Sequence, residues 1–243
     1  MNYRIISKLI LSGILLGVIA SGLSGQVVVK PSIKSKTHPS LHIDSIYVGE
    51  ETVVFLHIIN ENTEGTAWFC ADKNIYLVDV QTNKKYPLRK QIGIPVCPET
   101  HSFKKIGEIL LFRLYFPALG SNVEEIDIIE GCSDHCFSLK GIVLDQKLNE
   151  EIRMFEKGVE LFTAGKYQDA LIIFKELAEN SGFKSTSHFA YATYILPVIY
   201  HQLKEEDKAK ETYQKLIHST IREKAYFLQK IHEIPFFNEL RYQ

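Results

Sequence analysis

Residues 155–177 read FEKGVELFTAGKYQDALIIFKEL, and the order of small, aromatic and aliphatic residues in that stretch decides the character of the C-terminal part. Gly158 is followed three positions later by Leu161, then by the small pair Ala164 and Gly165, then by Tyr167. Ala170, Phe174 and Leu177 come next, at the three- and four-residue spacings that bring side chains to one helical face. The pattern predicts two antiparallel helices joined by a tight turn at Ala164 and Gly165. Gly158 and Ala170 let the two backbones approach closely, while Phe174 and Leu177 fill the seam towards the next pair.

A shift of 39 positions finds a second copy: Gly158 aligns with Pro197, Leu161 with Tyr200, Ala170 with Ala209, Phe174 with Tyr213 and Leu177 with Leu216. This order of types resembles a tetratricopeptide repeat (TPR), whose usual period is about 34 residues. The extra residues are assigned to the loop 181–187, SGFKSTS. The second copy is degenerate. Pro197 stands where a small residue is expected and should kink its helix, and Glu206 replaces the aromatic that opens the second helix. A further helix over 221–234, with Ala225, Leu228, Ile231 and Ile234 on one side, is read as the cap, and FFNELRYQ as folding back over it. In repeats of this kind the first helix of each pair lines the concave face. The resemblance therefore implies partner binding by Phe155, Val159 and Phe162 from the first copy and by Tyr191, Tyr194, Val198 and His201 from the second.

Upstream, over 41–144, the hydrophobic period changes to two, and short β-branched and aromatic runs alternate with turn signals. Seven or eight strands are predicted with no helix between them: 41–48, 52–60 (TVVFLHIIN), 75–80, 85–91 as a hairpin partner, 102–106, 109–116, 123–130 and 137–144. The portion resembles the small immunoglobulin-like sandwich domains of bacterial envelope proteins, which share no common chemistry. The expected fold class is thus α+β multidomain: an antiparallel Ig-like β-sandwich over 41–144, then a TPR-like helical hairpin array over 145–243.

All four cysteines, Cys70, Cys97, Cys132 and Cys136, lie in the strand-patterned portion. Their even number argues for disulfides in an exported chain. Three pairings are open, with Cys70–Cys97 and Cys132–Cys136 favoured. The competing reading uses CSDHC, at 132–136, as a thiol redox or metal site, although its spacing matches neither a thioredoxin motif nor paired zinc knuckles. Cys97, Glu99 and His101 can be drawn as thiol, acid and base, but nothing in the spacing makes them converge. His42 and His57 read as strand-surface residues, and the run 110–116, alternating with Arg113, as core.

Residues 1–25 read as a signal peptide: Arg4 and Lys8, an apolar run at 9–20, then small residues. That run is shorter than the roughly 20 apolar residues of a membrane span. Residues 26–40, with Pro31 and Pro39, read as a linker. With 28 Lys and Arg against 29 Asp and Glu, the net charge of -1 gives no basic excess for nucleic acid or an anionic membrane. No phosphate loop, cofactor motif, metal set or paired catalytic carboxylates are legible. The expectation is an exported, periplasmic, non-enzymatic adaptor engaging a protein or peptide partner, without a stable membrane anchor once the signal is removed. The alternatives are a thiol or metal redox accessory protein using Cys132 and Cys136, and a purely structural envelope module.

Overall fold

The computed structural model describes residues 25–63, 67–132, 135–179 and 186–242. The expected signal segment falls almost wholly outside them. Among the described residues, no helix is long and apolar enough to cross a membrane.

Strand-forming alternation builds two five-stranded antiparallel sheets. The first has the order β1 (Gln26–Val29), β3 (Leu41–Val48), β4 (Glu51–Ile59), β10 (Ile109–Pro117), β8 (Lys90–Ile92). The second has the order β2 (Ile33–Lys36), β12 (Ser138–Val143), β11 (Glu125–Glu130), β6 (Ile75–Asp79), β7 (Lys85–Pro87). A third, two-stranded sheet pairs β5 (Trp68–Phe69) with β9 (His101–Ser102). TVVFLHIIN supplies the centre of the first sheet, where β4 is hydrogen-bonded on both sides by β3 and β10. Val54, Leu56 and Ile58 point inward from it and meet Ile75, Leu77, Ile126 and Ile128 of the second sheet in one buried core.

Two of the passages between the layers are especially short. At Lys30, whose φ is 46°, the backbone turns out of β1 and Pro31 starts it towards β2. At Leu88 and Arg89, adjacent amides serve different sheets: Leu88 donates to the Ile75 carbonyl and Arg89 to that of Tyr115. This crossing divides the expected hairpin strand 85–91 into β7 and β8, one in each layer.

The expected fold class is therefore corrected. In place of an immunoglobulin-like β-sandwich of seven or eight strands followed by a TPR-like hairpin array, the described residues form 12 strands in three antiparallel sheets, with six helices gathered in the C-terminal part. The 26–40 linker is corrected with it, because β1 and β2 occupy it and form an edge of each large sheet. Each is four residues long and they are separated by Pro31, so neither carries enough alternation to register as a strand.

After β12, Asp145 caps α1 (Gln146–Thr163) by accepting from the Leu148 amide at 2.7 Å. Then come α2 (Tyr167–Glu179), α3 (Ser187–Gln202), α4 (Glu206–His218), α5 (Lys224–Ile231) and α6 (Pro235–Leu240). Ala170, Phe174 and Leu177 on α2 and Ala209, Tyr213 and Leu216 on α4 are all buried in a second core, separate from that of the sheets. Gly158 is needed where expected: a Cβ there would lie 2.9 Å from the Phe174 ring. α3 runs on through Pro197, which is buried. The cap differs from expectation, since Phe227 and Ile231 form the buried side of α5 while Ala225 is exposed, and Pro235 opens a new helix.

Buried polar side chains fasten α1 to its surroundings. Asn149 accepts from the Ser32 amide at 2.6 Å and donates to the carbonyls of Val143 and Asp145, both at 2.9 Å. Glu151, 1% exposed, meets Thr186 Oγ1 at 2.5 Å and His188 Nδ1 at 3.2 Å, at the start of α3. α1 is thus held to the β1–β2 corner on one side and to α3 on the other.

Candidate partner-binding face

The residues assigned to a concave face separate into two groups. Phe155 on α1 and Tyr191 and Tyr194 on α3 converge: the Phe155 ring lies 5.2 Å from Tyr191, and Tyr191 5.7 Å from Tyr194. All three line a groove of about 470 Å³ together with Ser187, His188, Tyr226, Phe227 and Lys230. Phe227, reaching in from α5, stacks on Tyr194 at 5.0 Å. Tyr226 forms the open lip and is 54% exposed. Burial raises the hydroxyl pKa of both Tyr191 and Tyr194, so each stays a neutral donor well into the alkaline range.

The other four face elsewhere. Val198 is buried in the helical core, and Val159 is partly buried against it. Phe162 packs edge-on against Tyr167 at 5.5 Å, across the hairpin turn. His201 stacks on Phe236 of α6 at 4.5 Å, while its Nδ1 meets Glu206 at 3.1 Å. Among the described residues, the C-terminal ones therefore cover the His201 end and leave the Phe155 end open. Reasoning from the repeat pattern missed Tyr226, Phe227, Lys230 and His188, because it treated 221–234 only as a cap. The adjacent Tyr226 and Phe227 were the available signal, since one helix cannot bury both on the same side.

The cysteine region forms a second cavity, of about 580 Å³. Cys70 is bonded to Cys97 and Cys132 to Cys136, and Cys70, Cys97 and Cys132 line this space with Trp68, His38 and His135. Glu130 joins the two disulfide-bearing segments, accepting from the Asp72 amide at 2.7 Å and the Phe137 amide at 2.8 Å. Burial pushes its carboxyl above the ordinary range, against the downward pull of those two donors. With Cys97 in a disulfide, the drawn Cys97, Glu99 and His101 set has no thiol nucleophile, and His101 Nε2 pairs instead with Glu108 at 3.1 Å. His42 and His57 stack on each other across β3 and β4 at 4.9 Å. Along β10, Phe112, Leu114 and Phe116 are buried while Leu111 is 67% exposed, so only alternate residues of that run are core. Among the described residues, no group of three or more His, Cys, Asp or Glu is placed to hold a metal ion.

The two disulfides point to an oxidising compartment outside the cytoplasm. Comparison of the chain with protein-family models and with curated proteins finds no match.

Proposed function

We propose that this chain is an exported, periplasmic, non-enzymatic binding protein whose helices hold a segment of a protein or peptide partner. The observation that carries that reading is the aromatic groove between α1, α3 and α5. Five aromatic side chains from three separate helices turn towards one open space there. Leaving such surface in water is costly, since burying one large apolar side chain is worth roughly 1.5–3 kcal/mol. Tyrosine is also suited to recognition, with an apolar ring that packs and a hydroxyl that gives direction.

The test places a photo-crosslinking side chain at Tyr226 in the intact envelope. Crosslinks to one partner segment, lost when Tyr194 is changed to Ala with thermal stability unchanged, support the groove. Crosslinks only to solvent or to this chain's own residues overturn it.

A second reading, thiol–disulfide exchange, is favoured by one observation: both disulfides border a single cavity. Its test is alkylation after mild reduction. Selective labelling of Cys132 and Cys136 before Cys70 and Cys97 supports exchange, whereas equal resistance of both bonds leaves them structural.

A further inference from the structure

His188 lines both the aromatic groove and a second cleft, of about 810 Å³, between β2 and α1. The second cleft has the opposite chemistry. Among the described residues, Lys30, Lys34, Lys36 and Arg153 line it against two carboxylates, Glu125 and Glu156. Lys36 is engaged with the carbonyls of Pro39 and Leu41, and Arg153 approaches those of Val29 and Lys30. Lys30 and Lys34 are exposed and, among the described residues, have no carboxylate partner.

An independent feature runs along the same wall. Among the described residues, β2 is the terminal strand of the second sheet and pairs only with β12, so no described strand lies beside its other edge. An unpaired edge is a template for an extended chain, which it holds through main-chain hydrogen bonds. Nucleic acid and lipid headgroups offer no such ladder, and a net charge of -1 gives the whole chain no general attraction for them.

We infer that the segment held by the aromatic groove is an extended acidic peptide with an apolar end: its acidic stretch lies along the open edge of β2 beside Lys30 and Lys34, and its apolar end passes His188 onto Tyr191, Tyr194 and Tyr226. This rests on the partner-binding reading above and adds the chemistry of the partner. The cations set direction and the rate of capture, and the aromatic rings hold the apolar end.

The test uses three fluorescent synthetic peptides and the full chain, read by fluorescence anisotropy. The first has four alternating Asp and Glu followed by Phe-Leu-Phe, the second has Lys in place of the acids, and the third keeps the acids but ends in Ser. The expected result is a preference for the first peptide over the second of about tenfold or more, weakened by salt. Lys30→Glu with Lys34→Glu should abolish that preference, and Lys34→Glu alone should halve it or more if the pair does not fold. Tyr226→Ala should weaken the first peptide and leave the third unchanged. Equal binding of the first two peptides, unaffected by Lys34→Glu, overturns this inference while the groove reading stands. Equal binding of the first and third, unaffected by Tyr226→Ala, overturns the groove reading. Displacement of the first peptide by inorganic phosphate at constant ionic strength assigns the cations to a phosphate ligand and also overturns the inference.

Discussion

Gly158 shows how one missing side chain sets a helix–helix distance. The Phe174 ring occupies the space a Cβ would need, and Phe174 is itself fully buried against Phe155 and Tyr191. Gly158→Ala gains about 1 kcal/mol in helix propensity but overpacks the seam at a cost of about 1–3 kcal/mol. The expected outcome is a net loss of up to about 2 kcal/mol in urea denaturation, together with weaker peptide binding, because the Phe174 ring packs against Phe155 and Tyr191 of the groove. A more stable variant would show that the ring has room. Glu130 is the corresponding residue in the sheets. Its pKa is raised on folding, so the folded chain keeps a proton that the unfolded chain has already released. The associated stability is fully present below the unfolded pKa and is lost as pH rises through the folded one. Glu130→Gln should remove that part of the pH dependence on the acid side of neutrality. It should also destabilise at neutral pH, because one amide N–H must face the N–H of Asp72 or Phe137. A stability profile parallel to that of the natural chain would contradict this.

At the scale of elements, α1 belongs to both parts of the molecule. Its Asn149 satisfies one amide at the β1–β2 corner and two carbonyls around the end of β12, and its Glu151 meets Thr186 and His188 at the start of α3. Asn149→Ala removes the side-chain partner of the Ser32 amide and of the Val143 carbonyl, while the Asp145 carbonyl keeps the Asn149 backbone amide, and should cost about 1–3 kcal/mol. Hydrogen exchange should show the loss first at Ser32 and Val143, with α4 and α5 unaffected. Uniform loss of protection would mean that Asn149 supports the whole fold and not this joint. α5 and α6 divide the covering of α3: α6 closes over His201 with Phe236, while α5 brings Phe227 beside Tyr194 and leaves Tyr226 outside.

The whole molecule has two apolar cores with few direct contacts between them, one enclosed by sheets and one by helices. Only the first is closed by disulfides, spanning separations of 27 and 4 residues. Loop closure makes the longer worth about 3.5 kcal/mol and the shorter about 2 kcal/mol. Trp68, the chain's single tryptophan, lies beside Cys70 and reports on the sheets, whereas the far-UV helical signal reports on the other part. Full reduction should therefore lower the Trp68 fluorescence transition in a thermal scan while moving the helical transition far less. Coincident transitions after reduction would show that the two cores unfold as one unit.

The sequence alone determined the local periods, because they are properties of neighbouring residues. Alternation in TVVFLHIIN marks a strand whose buried side is Val54, Leu56 and Ile58, and the spacing of Ala170, Phe174 and Leu177 marks a helix whose three residues are fully buried. The confinement of all four cysteines to the strand-patterned portion likewise pointed to disulfides, in the pairing observed. The sheet layout could not be read this way. β1 and β2 are four residues long, too short for a period to register, and 85–91 reads as one strand although β7 and β8 pair in different layers. The same limit applies to the candidate face. A helix stripe shows which residues avoid water and not which neighbour covers them, so Val198 and His201 looked equivalent to Tyr191 and Tyr194. The tertiary structure decided between them because α6 packs at one end of α3 and α5 at the other, and among the described residues the end reached by α5 is left open.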